Sequence, residues 1–239
     1  ICLPVFSSIV TKDPHTFDND THCGKLLLYG VSHLLGAAMP SNAEERAEIL
    51  FRVGILVDEI SNFVLCSGLI GHDKNGRHRG WDGFSGMEEP FNATLLNLSR
   101  LHTIKSVAGI VYIVENPSAF MAILNSKPLK PLSLVCTYGN LRLASLVLLD
   151  MLAKEGTIMF YSGDFDPEGL IIADKLKGRY KEQLNLWRYT KEDYSEALSR
   201  RPLSPARIKK LQFIKDQSLI NLSQEIRKTG LAGYQELIL

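Results

Sequence analysis

No apolar run in this sequence approaches the roughly 20 residues that a bilayer-spanning helix requires, and the first residues lack the basic-then-apolar pattern of a secretory signal. A membrane protein is therefore not expected, and the cytoplasm is the expected location. Cysteine is sparse. Cys2, Cys23, Cys66 and Cys136 stand singly, without the close pairs of a zinc site or a redox motif, and are expected as buried free thiols. Net charge is nearly absent, since 27 Lys and Arg face 26 Asp and Glu. That balance hides an asymmetry. Residues 175–228 hold 14 basic and 6 acidic side chains, a net of +8, so the rest of the chain sums to −7. Such a segment is either a set of solvated helix surfaces or the face that meets a polyanion.

What is present is enough apolar material for a full core: 45% of 239 residues, in one large domain or two small ones. The sequence begins at Ile1 and stops at Leu239 inside an apolar pattern, as a piece of a longer protein would. Residues 24–36 (GKLLLYGVSHLLG) put Leu26, Leu27, Tyr29, Val31, Leu34 and Leu35 at helical spacing, and residues 41–54 repeat the pattern behind a Ser-Asn cap. Residues 60–69 read as a strand. Residues 71–89, with five glycines and no period, read as a mobile loop or inserted tip, in which nothing fixes His72 and His78 as metal ligands.

From residue 106 strands and helices alternate. Residues 107–114, 132–136, 157–161 and 184–189 read as strands, and 117–124, 141–154 and 167–180 as the helices between them. Helical segments at 191–198, 205–214 and 219–228 follow. The alternation predicts an α/β fold with a parallel sheet flanked by helices over 101–239, behind a helical or winged-helix-like module over 1–100.

In a parallel sheet, residues just past the carboxyl ends of neighbouring strands converge on one crevice. Glu115 follows one strand, and Asp164 and Asp166 follow another. Two residues apart in extended backbone, the aspartates share a face while Phe165 turns to the core. Hard carboxylate ligands suit Mg²⁺ or Mn²⁺. Gly163 and Gly169 allow close backbone approach by a phosphate, and Pro167 opens a helix whose amino end favours anions. Helix capping explains Asp166 and Glu115 singly, each lying shortly before a proline. It explains neither Asp164 nor the recurrence of acids at two strand ends. Paired aspartates also occur in metal-dependent glycosyltransferases and in haloacid-dehalogenase phosphatases, but the latter want a threonine where this chain has Pro167 and Glu168.

A strand ending in IVYIVEN followed by one ending in GDFDPEG resembles the signature of the Toprim domain of topoisomerases, primases and related nucleases, in the form of the topoisomerase VI A-subunit branch. Together with DPHTFD at 13–18, the GKLLLYGVSHLLG helix, VCTYGN at 135–140 and WRYTKEDY at 187–194, it makes most of the chain similar to the JetD-like Toprim nuclease subunit of Wadjet anti-plasmid defence. The resemblance implies that Glu115, Asp164 and Asp166 are catalytic Mg²⁺ ligands. Glu168 would help through a water or simply begin a helix, and Thr137, Gly139 and Asn140 would form a backbone turn beside the site. Ser162 departs from the pattern, where a larger residue such as His precedes the Gly-Asp.

The implied activity is a metal-dependent endonuclease acting on double-stranded DNA as a homodimer beside a condensin-like ATPase. Tyr29 is the only tyrosine before residue 112 and reads as a core residue, which leaves water as the nucleophile. Arg179, Lys181, Arg188, Arg200, Arg201, Lys209 and Lys210 are expected along the DNA path, with Arg77, Arg79 and Trp81 marking the alternative. Two other functions compete: a non-catalytic Toprim-fold DNA-binding or assembly subunit, and a phosphoryl-transfer enzyme acting on small nucleotides.

Overall fold

The computed structural model describes residues 1–126 and 132–238. Its helices are α1 (Leu3–Thr11), α2 (His22–Leu34), α3 (Ala43–Arg52), α4 (Arg79–Gly86), α5 (Leu95–Ser99), α6 (Pro117–Asn125), α7 (Leu143–Lys154), α8 (Pro167–Tyr180), α9 (Lys191–Ala197), α10 (Pro205–Lys209) and α11 (Gln217–Thr229). The strands begin with β1 (Phe63–Ser67), β2 (Leu69–Asp73), β3 (Gly76–Arg77), β4 (Phe91–Thr94), β5 (Thr103–Ser106) and β6 (Ile110–Val114). They continue with β7 (Leu134–Cys136), β8 (Ile158–Ser162), β9 (Leu184–Leu186), β10 (Leu198–Pro202) and β11 (Leu231–Gly233). These elements form two compact units: Ile1–Phe63 with Ala93–Arg100 and Arg142–Val147, and Val64–Asn92 with Leu101–Leu141 and Leu148–Leu239. Among the described residues, no helix is long and apolar enough to cross a membrane.

The first unit is helical. Leu3, Leu28, Val31, Ile49, Leu50 and Ile55 form its core. Thr21 caps α2 by accepting from the Gly24 N–H at 2.9 Å, and Asn42 caps α3 through the Glu45 N–H at 2.9 Å. The expected burial of Tyr29 is corrected, for its side chain lies 63% exposed, as do those of Leu26 and Leu34 at 72% and 78%. The apolar residues of α2 wrap two faces, and only the one carrying Leu28 and Val31 meets the core.

The second unit is built on the sheet, whose order among the described residues is β4-β1-β7-β6-β8-β9. β7, β6, β8 and β9 run parallel, while β1 pairs antiparallel with β7. The continuous apolar runs are explained by burial on both faces: Val111, Ile113, Val114, Leu134, Val135, Cys136, Met159 and Tyr161 are all fully buried. Chain order and spatial order diverge at β6, which has β7 on one side and β8 on the other. The sheet therefore changes winding direction between β6 and β8, where open α/β sheets form their crevice.

Two expectations fail in detail. Residues 71–86 form β2, the β3 hairpin and α4 instead of the mobile loop that is one of the two expected readings, with β2 also pairing with β5. Their glycines serve packing and turning: a Cβ on Gly71 would come within 2.9 Å of the Trp81 ring, which is 3% exposed and sits edge-on to Phe91 at 4.8 Å. Of the cysteines, Cys66 and Cys136 are buried as expected, but Cys23 is exposed and Cys2 partly so. β10, which pairs antiparallel with β11 across the basic segment, has no alternating pattern to announce it.

Candidate metal centre

β6 and β8 lie in register, with Val114 beside Ser162. The chain that leaves each strand therefore emerges at the same level, Glu115 from one and Gly163-Asp164 from the other. The Asp164 N–H donates to Glu115 Oε2 at 3.2 Å, so the two expected acids meet directly. Glu115 is 6% exposed. Its pKa is pushed up to about 8, first by burial and then by the charge of Asp164, with Asp166 and Glu168 adding further repulsion. Burial also raises Asp164, although the Gln235 N–H donates to its Oδ1 at 3.0 Å and Asn116 Nδ2 to its Oδ2 at 3.1 Å.

Glycine makes room for this arrangement. A Cβ on Gly163 would lie 2.7 Å from Glu115 Oε2 and 2.5 Å from the Tyr161 hydroxyl, and one on Gly169 would lie 3.0 Å from Glu115 Oε2. The turn at 137–140 closes the other side. Gly139, at a φ of +70°, donates its N–H to the Glu115 carbonyl at 3.1 Å, and the Cys136 thiol donates to the same oxygen at 3.4 Å. Asn140 is exposed beyond the turn. Tyr161 Oη, Thr137 Oγ1 and both polar atoms of the Gln235 side chain are buried without a hydrogen-bond partner among the described residues. Tyr189 donates to the Asp164 carbonyl at 2.7 Å and locks the strand exit. Phe165 turns inward as expected and is fully buried, pairing with Gly233 through two 3.0 Å backbone hydrogen bonds.

Asp166 and Glu168 behave differently. Asp166 Oδ1 caps α8 by accepting from the Gly169 N–H at 2.9 Å, while its Oδ2 takes Arg207 Nη2 at 2.5 Å. Glu168 Oε2 accepts from Arg207 Nε at 2.9 Å and Nη2 at 2.6 Å, and its Oε1 from Lys210 Nζ at 2.8 Å. Burial opposes ionisation of Glu168, but the hydrogen bonds from Arg207 and Lys210 prevail and hold its carboxyl below the usual range. One pair of acids is thus neutralised by cations, and the other is held by neutral donors.

Among the described residues, no three His, Cys, Asp or Glu side chains stand close enough to hold a metal ion as they are. The donor set nonetheless fits a hard divalent cation in its chemistry. The groups are carboxylates, ionisation of Glu115 and Asp164 is opposed by burial and by neighbouring acids, and Gly163 and Gly169 let the backbone pass close against Glu115. Asp166, by contrast, is engaged by the Arg207 guanidinium.

The expected DNA-binding residues lie on several elements of the basic segment. Arg179 is committed to Asp150, with Nη2–Oδ2 at 2.6 Å and Nε–Oδ1 at 2.9 Å. Lys210 is committed to Glu168. Lys181 is exposed at the end of α8, and the Arg188 guanidinium stands over the Trp187 ring at 5.8 Å. Arg200 and Arg201 are exposed on β10, and Lys209 is exposed at the end of α10. In the departing position, Ser162 is fully buried and donates to the Arg188 carbonyl at 3.4 Å.

A family model described as "protein of unknown function C-terminus (DUF2399)" matches residues 91–239, more than half of the chain. The chain belongs to the DUF2399 family. Residues 1–71 match a second model, described as "protein of unknown function N-terminus (DUF3323)". No curated protein matches the sequence. All the acids of the site, and every residue that holds them, fall inside the DUF2399 segment. Sequence reasoning missed several of these holders: Asn116, Tyr189, Arg207 and Gln235. Asn116 alone carries a local signal, as the polar residue between Glu115 and the proline that opens α6.

Proposed function

We propose that the protein is a divalent-metal-dependent endonuclease of the Toprim type. In this reading it hydrolyses phosphodiester bonds of double-stranded DNA in the cytoplasm, as the cutting subunit of a Wadjet-like anti-plasmid complex with a condensin-like ATPase. The observation that carries the reading is Glu115, a buried carboxyl pushed up to about 8 among other acids, at the point where a parallel sheet changes winding direction. A scaffold has no use for such crowding, whereas a bound cation would relieve it.

Glu115, Asp164 and Asp166 are the residues that would hold Mg²⁺ or Mn²⁺, with Glu168 reaching through a water. Such an ion supplies Lewis acidity toward a phosphoryl oxygen and a lowered pKa for water. Asn116 and the Gln235 N–H orient Asp164, as hydrogen-bonded partners of ligating carboxylates do. Gly163 and Gly169 let the backbone pass close against Glu115, and the amino end of α8, opened by Pro167, would favour a phosphate. Arg188, Arg200, Arg201 and Lys209 would neutralise backbone phosphates along the duplex. A homodimer would provide one such site for each strand.

Incubating plasmid with the protein and a condensin-like partner in Mg²⁺ tests the proposal. Nicked or linear product is expected, and its loss in a folded Glu115→Gln variant. Equal cutting by that variant would remove Glu115 from the chemistry. Tight DNA binding without any cutting would favour the assembly-subunit reading.

A further inference from the structure

We propose that Arg207 is a resident counter-cation of the acidic cluster, a positioning residue whose guanidinium occupies Asp166 and must exchange for a divalent cation before Asp166 can act as a ligand. The inference rests on the metal-dependent reading above and adds to it a residue that controls how the site is filled.

Asp164 and Asp166 differ in what neutralises them. Asp164 has both carboxylate oxygens engaged, but its partners are a peptide N–H and an amide, neutral dipoles that can remain in place around a metal-bound carboxylate. Asp166 also has both oxygens engaged, and one partner is a full positive charge. A guanidinium at 2.5 Å and a divalent ion cannot share one carboxylate oxygen without strong repulsion. Glu168 strengthens the hold by taking two bonds from the same guanidinium, while Lys210 fixes the far oxygen of Glu168. This planar fork is bonded to two carboxylates and holds both toward α10.

Exchange is physically open to Arg207. Its side chain is one-third exposed at 33% and rises from α10, a single short turn capped by Ser204 and opened by Pro205. The guanidinium can swing into solvent without unpacking a core. Asp166, at 16% side-chain exposure, stays anchored as the cap of α8 whichever cation it meets.

Mn²⁺ titration of the full chain, followed by calorimetry or by the paramagnetic signal of free Mn²⁺, tests the exchange. Arg207→Gln should bind Mn²⁺ about tenfold more tightly than wild type, within the usual range of coupling between competing ligands. Arg207→Lys keeps the charge but loses the fork, and should show a smaller increase in affinity; it decides the matter if the Gln variant does not fold. The increase should vanish when Arg207→Gln is placed on an Asp166→Asn background. If Arg207→Gln binds Mn²⁺ no more tightly than wild type, Arg207 is a structural brace and the exchange is refuted while the metal reading stands. If neither wild type nor the Arg207 variants bind Mn²⁺, the metal reading fails and takes the exchange with it.

Discussion

Glu115→Gln offers a test of the site that needs neither metal nor DNA. In the folded protein, burial and then the charge of Asp164 push the Glu115 carboxyl up to about 8, against an ordinary glutamate value of 4.5. Between those two pH values the native state binds a proton that the unfolded chain has released, so stability must fall as pH rises. The contribution is fully present below the unfolded value and is lost as pH climbs through the folded one. At about 1.36 kcal/mol per pH unit, the difference sets an upper limit of about 5 kcal/mol on the loss. Asp164 is also raised and acts in the same sense. Glu168 is lowered and acts in the opposite sense, in the acid range below its ordinary value. The phenols of Tyr161 and Tyr189, raised well above the usual range by burial and then by Glu115, stay protonated throughout.

Glutamine keeps an oxygen to accept the Asp164 N–H and removes the ionisation. Urea unfolding in chelator at about pH 5, 6.5 and 8 should therefore give a falling stability for wild type and a flatter line for Glu115→Gln. The variant should be the more stable protein at the alkaline end, by several kcal/mol at most. Groups that titrate alike in both proteins cancel in the difference. Parallel lines would refute the crowded-carboxylate account, because a Glu115 that ionises freely in the folded state has no need of a cation.

Gly163→Ala would place a methyl group 2.5 Å from the Tyr161 hydroxyl and 2.7 Å from Glu115 Oε2, and should cost about 1–3 kcal/mol in urea unfolding; an unchanged midpoint would mean that these side chains are not held as described. The double variant Asp164→Ala, Asp166→Ala should abolish Mn²⁺ binding in a calorimetric titration, and undiminished binding would place any metal elsewhere. Charge reversal at Arg200 and Arg201 should weaken binding to all DNA sequences alike and reduce the salt slope by about 0.9 for each phosphate that is no longer neutralised; an unchanged slope would assign the pair to solvated surface.

The parallel strands are legible because strands buried on both faces must read as unbroken apolar runs, as residues 110–114 do. α8 is legible to the residue, since Asp166 and Pro167 announce its start and its cap bond is local. Residues 71–89 mislead because glycine there suggests mobility, whereas Gly71 is small so that Trp81 can lie against it. The face of α2 misleads because apolar residues surround that helix, and nothing local says which of them meets α1 and α3. Within the candidate centre the acids announce themselves by their place after strands. What neutralises them does not: Arg207 reaches Asp166 across 41 positions and Gln235 reaches Asp164 across 71, distances over which no local pattern operates.

The bond from the Gln235 N–H to Asp164 also sets an order of events in synthesis. Asp164 leaves the ribosome 71 residues ahead of its last partner, a delay of about 4 to 14 s at 5–20 residues per second. During that interval β8 can pair with β6, but Phe165 lacks Gly233, Asp164 lacks its peptide donor, and for the first part of it Asp166 has no Arg207. The acids are translated early and restrained late. A chain halted before residue 233 would carry every carboxylate of the cluster and none of the final clasp, so the centre would take its finished form only as the last residues of the second unit fold onto it.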